Sequence, residues 1–282
     1  MKIVGIVNIT RDSFSDGGRF LAPHDAIAHA ERLIADGADI VELGARSTHP
    51  DSELVSADEE IARLAPVLTT LTARGLKISI DTAQPDVMQF AVEHGAAMMN
   101  DVTGFCDPRS IEAVGASSAL LVVMHAVRSR TAEPDPARAE RIATTPAAAV
   151  DGAMRFLRDR ASALIAAGVD STRLVLDPGM GFFLSSRADA SLAMLRSLGQ
   201  IRAIGHPLMI SVSRKSFIGA LLGAHGAPRP IADRGAATLA TELWAYTQGV
   251  QYLRTHDVRA LRDAVTLWRA IAGERPETGE ST

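Results

Sequence analysis

Apolar residues along this chain come in short unbroken runs rather than in alternation with polar ones. Runs rich in Val, Ile, Leu and Met occupy 2–8, 39–43, 76–81, 97–101, 120–125, 173–177, 208–213 and 251–256. Runs of this kind predict strands buried on both faces, as in a parallel sheet. Between them, apolar positions return at three- and four-residue spacing, which predicts helices over 25–35, 58–71, 85–94, 146–167, 190–204, 233–247 and 259–272. In the fourth helix Val150, Met154, Leu157, Ala161, Leu164, Ile165 and Gly168 form one stripe. Gly37, Gly75, Gly95, Gly168 and Gly249 stand where helices stop in left-handed backbone.

Eight strands interleaved with helices in 282 residues predict an α/β fold, a (β/α)8 TIM barrel in a single domain. A doubly wound parallel sheet is the alternative, because a miscount of one or two strands would change the answer. The barrel is expected over 1–272, with the polar residues 273–282 as an unstructured tail. Long loops are expected at 9–23, 44–56 and 127–146.

Composition narrows the class. Hydrophobic residues make up 47% and charged residues 22%, the balance of an ordinary soluble enzyme. A net charge of −4 and a pI near 6.1 lack the basic footprint of a nucleic-acid binder. Cys106 is the only cysteine, which excludes an intramolecular disulfide and agrees with a reducing compartment. The apolar run at 3–7 is too short for a signal peptide or a membrane span. A cytoplasmic enzyme with no nucleic-acid or membrane partner is the expectation.

In a barrel, chemistry gathers at the C-terminal ends of the strands. Those ends read Asn8, Glu42 to Gly44, Asp81, Asn100-Asp101, Met124-His125, Asp177, Ser213-Arg214-Lys215 and Arg254-Thr255-His256. One strand-terminal Asp is most simply a helix N-cap. Polar ends on most of the strands, converging on one rim, ask for a ligand. Asp81, Asn100 and Asp177 suit a flat heterocycle that presents amino and amide N–H groups. Lys215, Arg254 and His256 follow the seventh and eighth strands, where barrels frequently hold phosphate. Position and residue type reach a polar heterocycle with a phosphate-bearing arm, and no further.

The same residues carry a resemblance. Asn8-Ile9-Thr10 with Asp12-Ser13-Phe14-Ser15-Asp16-Gly17-Gly18 resembles the first signature of the dihydropteroate synthases. Ser79-Ile80-Asp81-Thr82, Asn100-Asp101-Val102, Met124-His125, Leu176-Asp177-Pro178-Gly179-Met180-Gly181-Phe182, Ser213-Arg214-Lys215-Ser216-Phe217 and Arg254-Thr255-His256-Asp257 follow in family order. The resemblance implies a (β/α)8 barrel that joins 6-hydroxymethyl-7,8-dihydropterin diphosphate to 4-aminobenzoate, releasing pyrophosphate. It also implies Mg2+ on the diphosphate and a homodimer. Carried over by position, Asp81, Asn100, Asp177, Met124 and Lys215 bind the pterin. Asn8 would touch the metal–diphosphate unit, and Arg254 and His256 the departing pyrophosphate. Thr48, Phe182 and Ser213 would line the aminobenzoate side. Asp81, Lys215, Arg254 and His256 are the expected catalytic set, and Cys106 has no role.

Three stretches depart from the family pattern. Where the second loop commonly reads Gly-Gly-Glu-Ser-Thr-Arg-Pro, this chain has Gly44-Ala45-Arg46-Ser47-Thr48-His49-Pro50, so Arg46 is the candidate to replace the missing arginine. Arg11 stands in place of a proline. Phe183-Leu184 replaces Gly-Lys after Gly181-Phe182, which resembles the mobile, sulfonamide-insensitive branch and makes Phe183 the expected residue of drug discrimination. Two other readings share the pterin pocket: a methyltetrahydrofolate methyltransferase, which needs no diphosphate site, and a non-catalytic pterin-binding paralogue.

Overall fold

The computed structural model describes residues 1–10, 22–46, 55–127 and 140–274. Thr48, His49, Arg11 and most of the tail lie outside the described residues, as do the central parts of the three expected loops. Along the chain run β1 (Lys2–Asn8), α1 (Pro23–Ala35), β2 (Ile40–Gly44), α2 (Ala57–Ala73), β3 (Ile78–Asp81), α3 (Pro85–Glu93), β4 (Met98–Asp101), α4 (Pro108–Gly115) and β5 (Leu120–Met124). Then come α5 (Pro146–Ala166), β6 (Leu174–Asp177), α6 (Ala188–Arg196), α7 (Leu198–Arg202), β7 (Met209–Ile210), α8 (Ser216–Leu221), α9 (Gly235–Thr247), β8 (Tyr252–Thr255) and α10 (Val258–Ile271).

All neighbouring strands are parallel, in the order β6-β5-β4-β3-β2-β1-β8-β7. A parallel bridge from Leu176 to Leu208 brings β6 against the residue before β7 and closes the ring. The first strand pairs with the last, Lys2 opposite Tyr252. That pairing makes a barrel and rules out the doubly wound sheet.

Burial on both faces has a simple origin here. Val4, Ile40, Met98, Val122, Val175 and Met209 pack together as an apolar floor inside the barrel. Residues one position away, such as Ile3, Val41, Met99, Leu121, Leu174 and Ile210, join the larger core between strands and helices. Side chains on a strand repeat every two residues. Two steps beyond the floor therefore stand Ile6, Glu42, Asn100, Met124, Asp177 and Ser211. The same period that seals the floor aims the polar groups into the mouth.

Several local expectations need correction. Two short helices, α4 and α8, were not anticipated, and the single helix expected over 190–204 breaks at Ser197, whose backbone (φ −97, ψ 6) caps α6 before α7 begins. Strand β7 covers only Met209–Ile210; beyond it Ser211 and Ser213 line the cavity while Val212 joins the outer core. Ile165 is 42% exposed, and Ala149 and Ala153 take its place on the buried face of α5. All five glycines expected at helix ends have positive φ. No helix among the described residues is long and apolar enough to cross a membrane.

Candidate active site

A cavity of about 910 Å3 opens at the C-terminal ends of the strands. It is lined by Asn8, Asp81, Asn100, Met124, Asp177, Phe182, Phe183, Ser213, Lys215, Arg254 and His256. Every expected site residue within the described residues is thus on one wall or another of a single cavity. Thr48 is outside them. Arg46 also lines the cavity, and its charge acts on the buried Glu60 carboxyl.

At its base lies a charge cluster centred on a residue without an assigned role. Glu42 is fully buried inside the barrel and accepts a hydrogen bond from Ser79 Oγ at 2.9 Å. Arg254 Nε donates to Glu42 Oε1, Nη2 reaches Asp81 Oδ2 at 3.1 Å, and Nη1 reaches Ser211 Oγ at 3.3 Å. Asn100 Nδ2 donates to Glu42 at 3.3 Å. Its Oδ1 is buried without a hydrogen-bond partner among the described residues. Glu42 therefore orients both an amide and a guanidinium, leaving the Asn100 oxygen as an acceptor at the cavity wall. A buried acceptor left idle costs free energy unless a ligand fills it.

Electrostatics follow from this crowding. Burial pushes the Asp81 carboxyl up to about 7, with the Glu42 charge adding to the rise and Arg254 opposing it. Burial raises Asp177 to about 6, against the pull of Lys215 and a 2.8 Å bond from Gly179 N. Burial also brings Lys215 down to about 8, although Asp177 favours its charge. For Arg254 the Glu42 and Asp81 carboxylates outweigh burial and raise the guanidinium further. Two acids and one amine thus change protonation within the neutral range, so each can donate or accept toward a heterocycle.

The segment after β6 shapes the next wall. Gly179 has φ +73, and a Cβ there would collide with the His125 carbonyl oxygen. Only glycine lets the loop turn this close to β5. Lys215 Nζ donates to Met180 O at 3.3 Å and stands 5.0 Å above the Phe183 ring. Phe183 packs on Val102 and Met124. Its neighbour Phe182 faces Arg141 instead, 5.5 Å from the ring centre. Two adjacent phenylalanines therefore belong to different walls. Ser213 Oγ meets His256 Nδ1 at 2.9 Å and accepts from His256 N at 3.2 Å, joining the ends of β7 and β8.

Sequence reasoning left Glu42, Ser211, Arg141 and Arg234 without a role. For Glu42 the signal was present: a carboxylate inside an otherwise apolar strand. Cys106 is exposed and does not line the cavity. Among the described residues no group of three or more His, Cys, Asp or Glu could hold a metal ion. Asn8 offers an amide oxygen among the cavity-lining residues, which suits an ion whose other ligands arrive with a phosphorylated substrate.

The comparisons agree with this geometry. Residues 4–256 match the model of a family described as pterin binding enzyme. The chain is 47% identical over 270 residues to dihydropteroate synthase type-2 of Escherichia coli, covering 95% of each. It is 43% identical over 271 residues to dihydropteroate synthase type-3 of Escherichia coli, covering 96% of this chain and 99% of that protein. Among solved structures it is similar to Xanthomonas albilineans dihydropteroate synthase with 4-aminobenzoic acid, with a TM-score of 0.83, 36% identity and coverage of 97% and 94%. With that match along the whole barrel, the chain belongs to the pterin-binding enzymes, and within them to the dihydropteroate synthases.

Proposed function

We propose that the chain condenses 6-hydroxymethyl-7,8-dihydropterin diphosphate with 4-aminobenzoate, releasing pyrophosphate, and that its residues divide the work by wall. Asp81, Asn100, Asp177, Met124 and Lys215 hold the pterin. The observation that carries this assignment is the idle Asn100 oxygen beside two carboxyls of raised pKa, an acceptor set matched to ring and amino N–H groups. Phe182 and Ser213 line the aminobenzoate side, to which Thr48 is assigned by its place in the family motif. Asn8, Arg254 and His256 serve the diphosphate.

The bond from the pterin methylene carbon to the diphosphate oxygen breaks, and the amine nitrogen of 4-aminobenzoate forms its bond to that carbon and loses a proton. Buried Asp81 and Asp177 stabilise positive charge on the ring as the carbon–oxygen bond opens, and Arg254 and His256 answer the negative charge on the leaving group. Asn8 would hold Mg2+ carried in on the diphosphate, and the ion when bound would supply charge neutralisation of the leaving group. Similarity to the type-2 and type-3 synthases and the bulky Phe183 support a sulfonamide-insensitive enzyme. Exposed Leu267, Trp268 and Ile271 on α10 support a homodimer through that helix. We place the protein in the cytoplasm.

The deciding experiment follows pyrophosphate release with both substrates, with and without a sulfonamide. Stoichiometric pyrophosphate and dihydropteroate, insensitive to the drug, are expected. Tight binding of the pterin with no turnover would leave a binding protein instead.

A further inference from the structure

Behind the site, a second cavity of about 270 Å3 is walled by Ser213, Arg214, Thr238, Glu242, Asp257 and Ala260, among others. Glu242 is 2% exposed, and its Oε1 has no hydrogen-bond partner among the described residues. Burial lifts its carboxyl to about 8, against a hydrogen bond from the Thr255 hydroxyl. A buried acid with one oxygen idle costs stability that an apolar side chain of similar size would not. The reaction as read above has no use for it.

Its neighbours supply a reason. Thr238, one turn earlier on α9, accepts a 3.0 Å bond from Arg214 N, and Arg214 sits in left-handed backbone at φ 57. Arg234, at the start of α9, donates to the carbonyls of Arg214 at 2.8 Å and Lys215 at 3.3 Å. Glu242 holds Thr255, the residue between Arg254 and His256, whose hydroxyl also accepts from Asp257 N at 3.2 Å. One end and face of α9 therefore tie down both segments that carry Lys215, Arg254 and His256. The cavity shows that close packing does not support those segments from behind, so the polar ties must.

We propose that Glu242 is a positioning residue for the leaving-group half of the site, acting through Thr255 on Arg254 and His256 without touching substrate. The claim rests on the roles given to those two residues above. It predicts a split between ligands that a merely structural residue would not produce.

The test compares the full-length wild type with Glu242→Leu, Glu242→Gln and Thr255→Val. Calorimetry gives affinities for inorganic pyrophosphate and for 6-hydroxymethyl-7,8-dihydropterin, alongside kcat, both KM values and melting temperature. Glu242→Leu is expected to melt within a few degrees of wild type, because removing a buried acid with one idle oxygen offsets the lost bond to Thr255. Its pyrophosphate affinity and kcat should fall about 10- to 100-fold, the scale of a small misplacement at a reacting centre. The unphosphorylated pterin should bind within about twofold of wild type, and Glu242→Gln, which keeps an acceptor for Thr255, should recover to within about threefold. Thr255→Val should show the same split, and it decides the matter if Glu242→Leu does not fold. Unchanged pyrophosphate affinity and kcat, or equal loss of both ligands together with the melting temperature, overturns the proposal. If wild type binds both ligands without turning over, the synthase reading falls, while the pyrophosphate affinities still decide the role of Glu242.

Discussion

Arg254 Nη2 lies 3.1 Å from Asp81 Oδ2, so the last strand of the barrel supplies the countercharge for a carboxyl on the third. The same guanidinium also satisfies Glu42, and the three groups act as one unit. Replacing Glu42 with Leu would leave Arg254 with Asp81 as its carboxylate partner but take the acceptor from Ser79 Oγ, Asn100 Nδ2 and Arg254 Nε, and each buried donor left unpaired costs about 1–3 kcal/mol. Urea unfolding of Glu42→Leu at pH 7 should show that loss. The Asp81 carboxyl, relieved of its negative neighbour, should titrate lower when followed by NMR.

Stability should decline as pH rises through the neutral range. Asp81 and Asp177 carry folded-state pKa values of about 7 and about 6, above their usual 3.8. Between pH 3.8 and 7 the native state therefore holds more protons than the unfolded chain, so raising pH destabilises it. Asp81→Asn and Asp177→Asn cannot ionise there. Melting curves from pH 5 to 8 should fall for wild type and fall less steeply in each variant, the remaining slope coming from the other aspartate and Glu242. Parallel curves would show that these carboxyls titrate normally.

Pterin affinity should depend on those same two acids. Asp177→Ala or Asp81→Ala removes an acceptor in a closed site and leaves ring N–H groups unpaired, a cost of about 1–3 kcal/mol or more. Calorimetry with the dihydropterin diphosphate should find binding abolished or nearly so in folded protein. Near-native affinity in either variant would remove that residue from the pterin wall.

If the proposed division of the site holds, His256 is the cleaner probe of the leaving group. His256→Ala should weaken the diphosphate substrate and slow bond cleavage while sparing the unphosphorylated alcohol. Arg254→Ala should weaken the diphosphate most and, because complete loss of the guanidinium also frees Asp81 and Glu42, weaken the alcohol to a smaller extent. Equal loss of alcohol and diphosphate in His256→Ala would assign that histidine to the ring instead.

Phe183→Gly should open room for the substituent that sulfonamides carry and 4-aminobenzoate lacks. A clash worth about 3 kcal/mol corresponds to roughly a hundredfold in drug inhibition constant. The Michaelis constant for 4-aminobenzoate should change little. Phe183 packs on Met124 and beneath Lys215, so the pterin diphosphate is expected to bind somewhat more weakly. If drug and aminobenzoate constants move together, Phe183 shapes a shared pocket.

Strand positions and polar strand ends were readable because an apolar run buried on both faces survives without tertiary information. Which face looks inward was not. A strand such as Ile40–Gly44 shows no alternation, so the inward aim of Glu42 emerges only when Ile40 is seen in the barrel floor. Short α8 escaped for another reason: Ser216–Leu221 has too few residues to show a helical period. The break at Ser197 escaped because the nearest glycine, Gly199, lies inside α7 and not at the break. Arg141 and Arg234 sit outside the strand ends, where only distance in space reveals their partners.

Pairing of Lys2 with Tyr252 also sets a schedule for synthesis. Glu42 and Arg254 are 212 residues apart, and at about 5–20 residues per second the ribosome needs about 10–40 s to deliver the second after the first. Throughout that interval β1 exposes an open edge, and a carboxylate destined for the interior has no cation to meet. The nascent chain is most vulnerable to misassociation late, when nearly the whole barrel exists and only its final strand is still inside the exit tunnel.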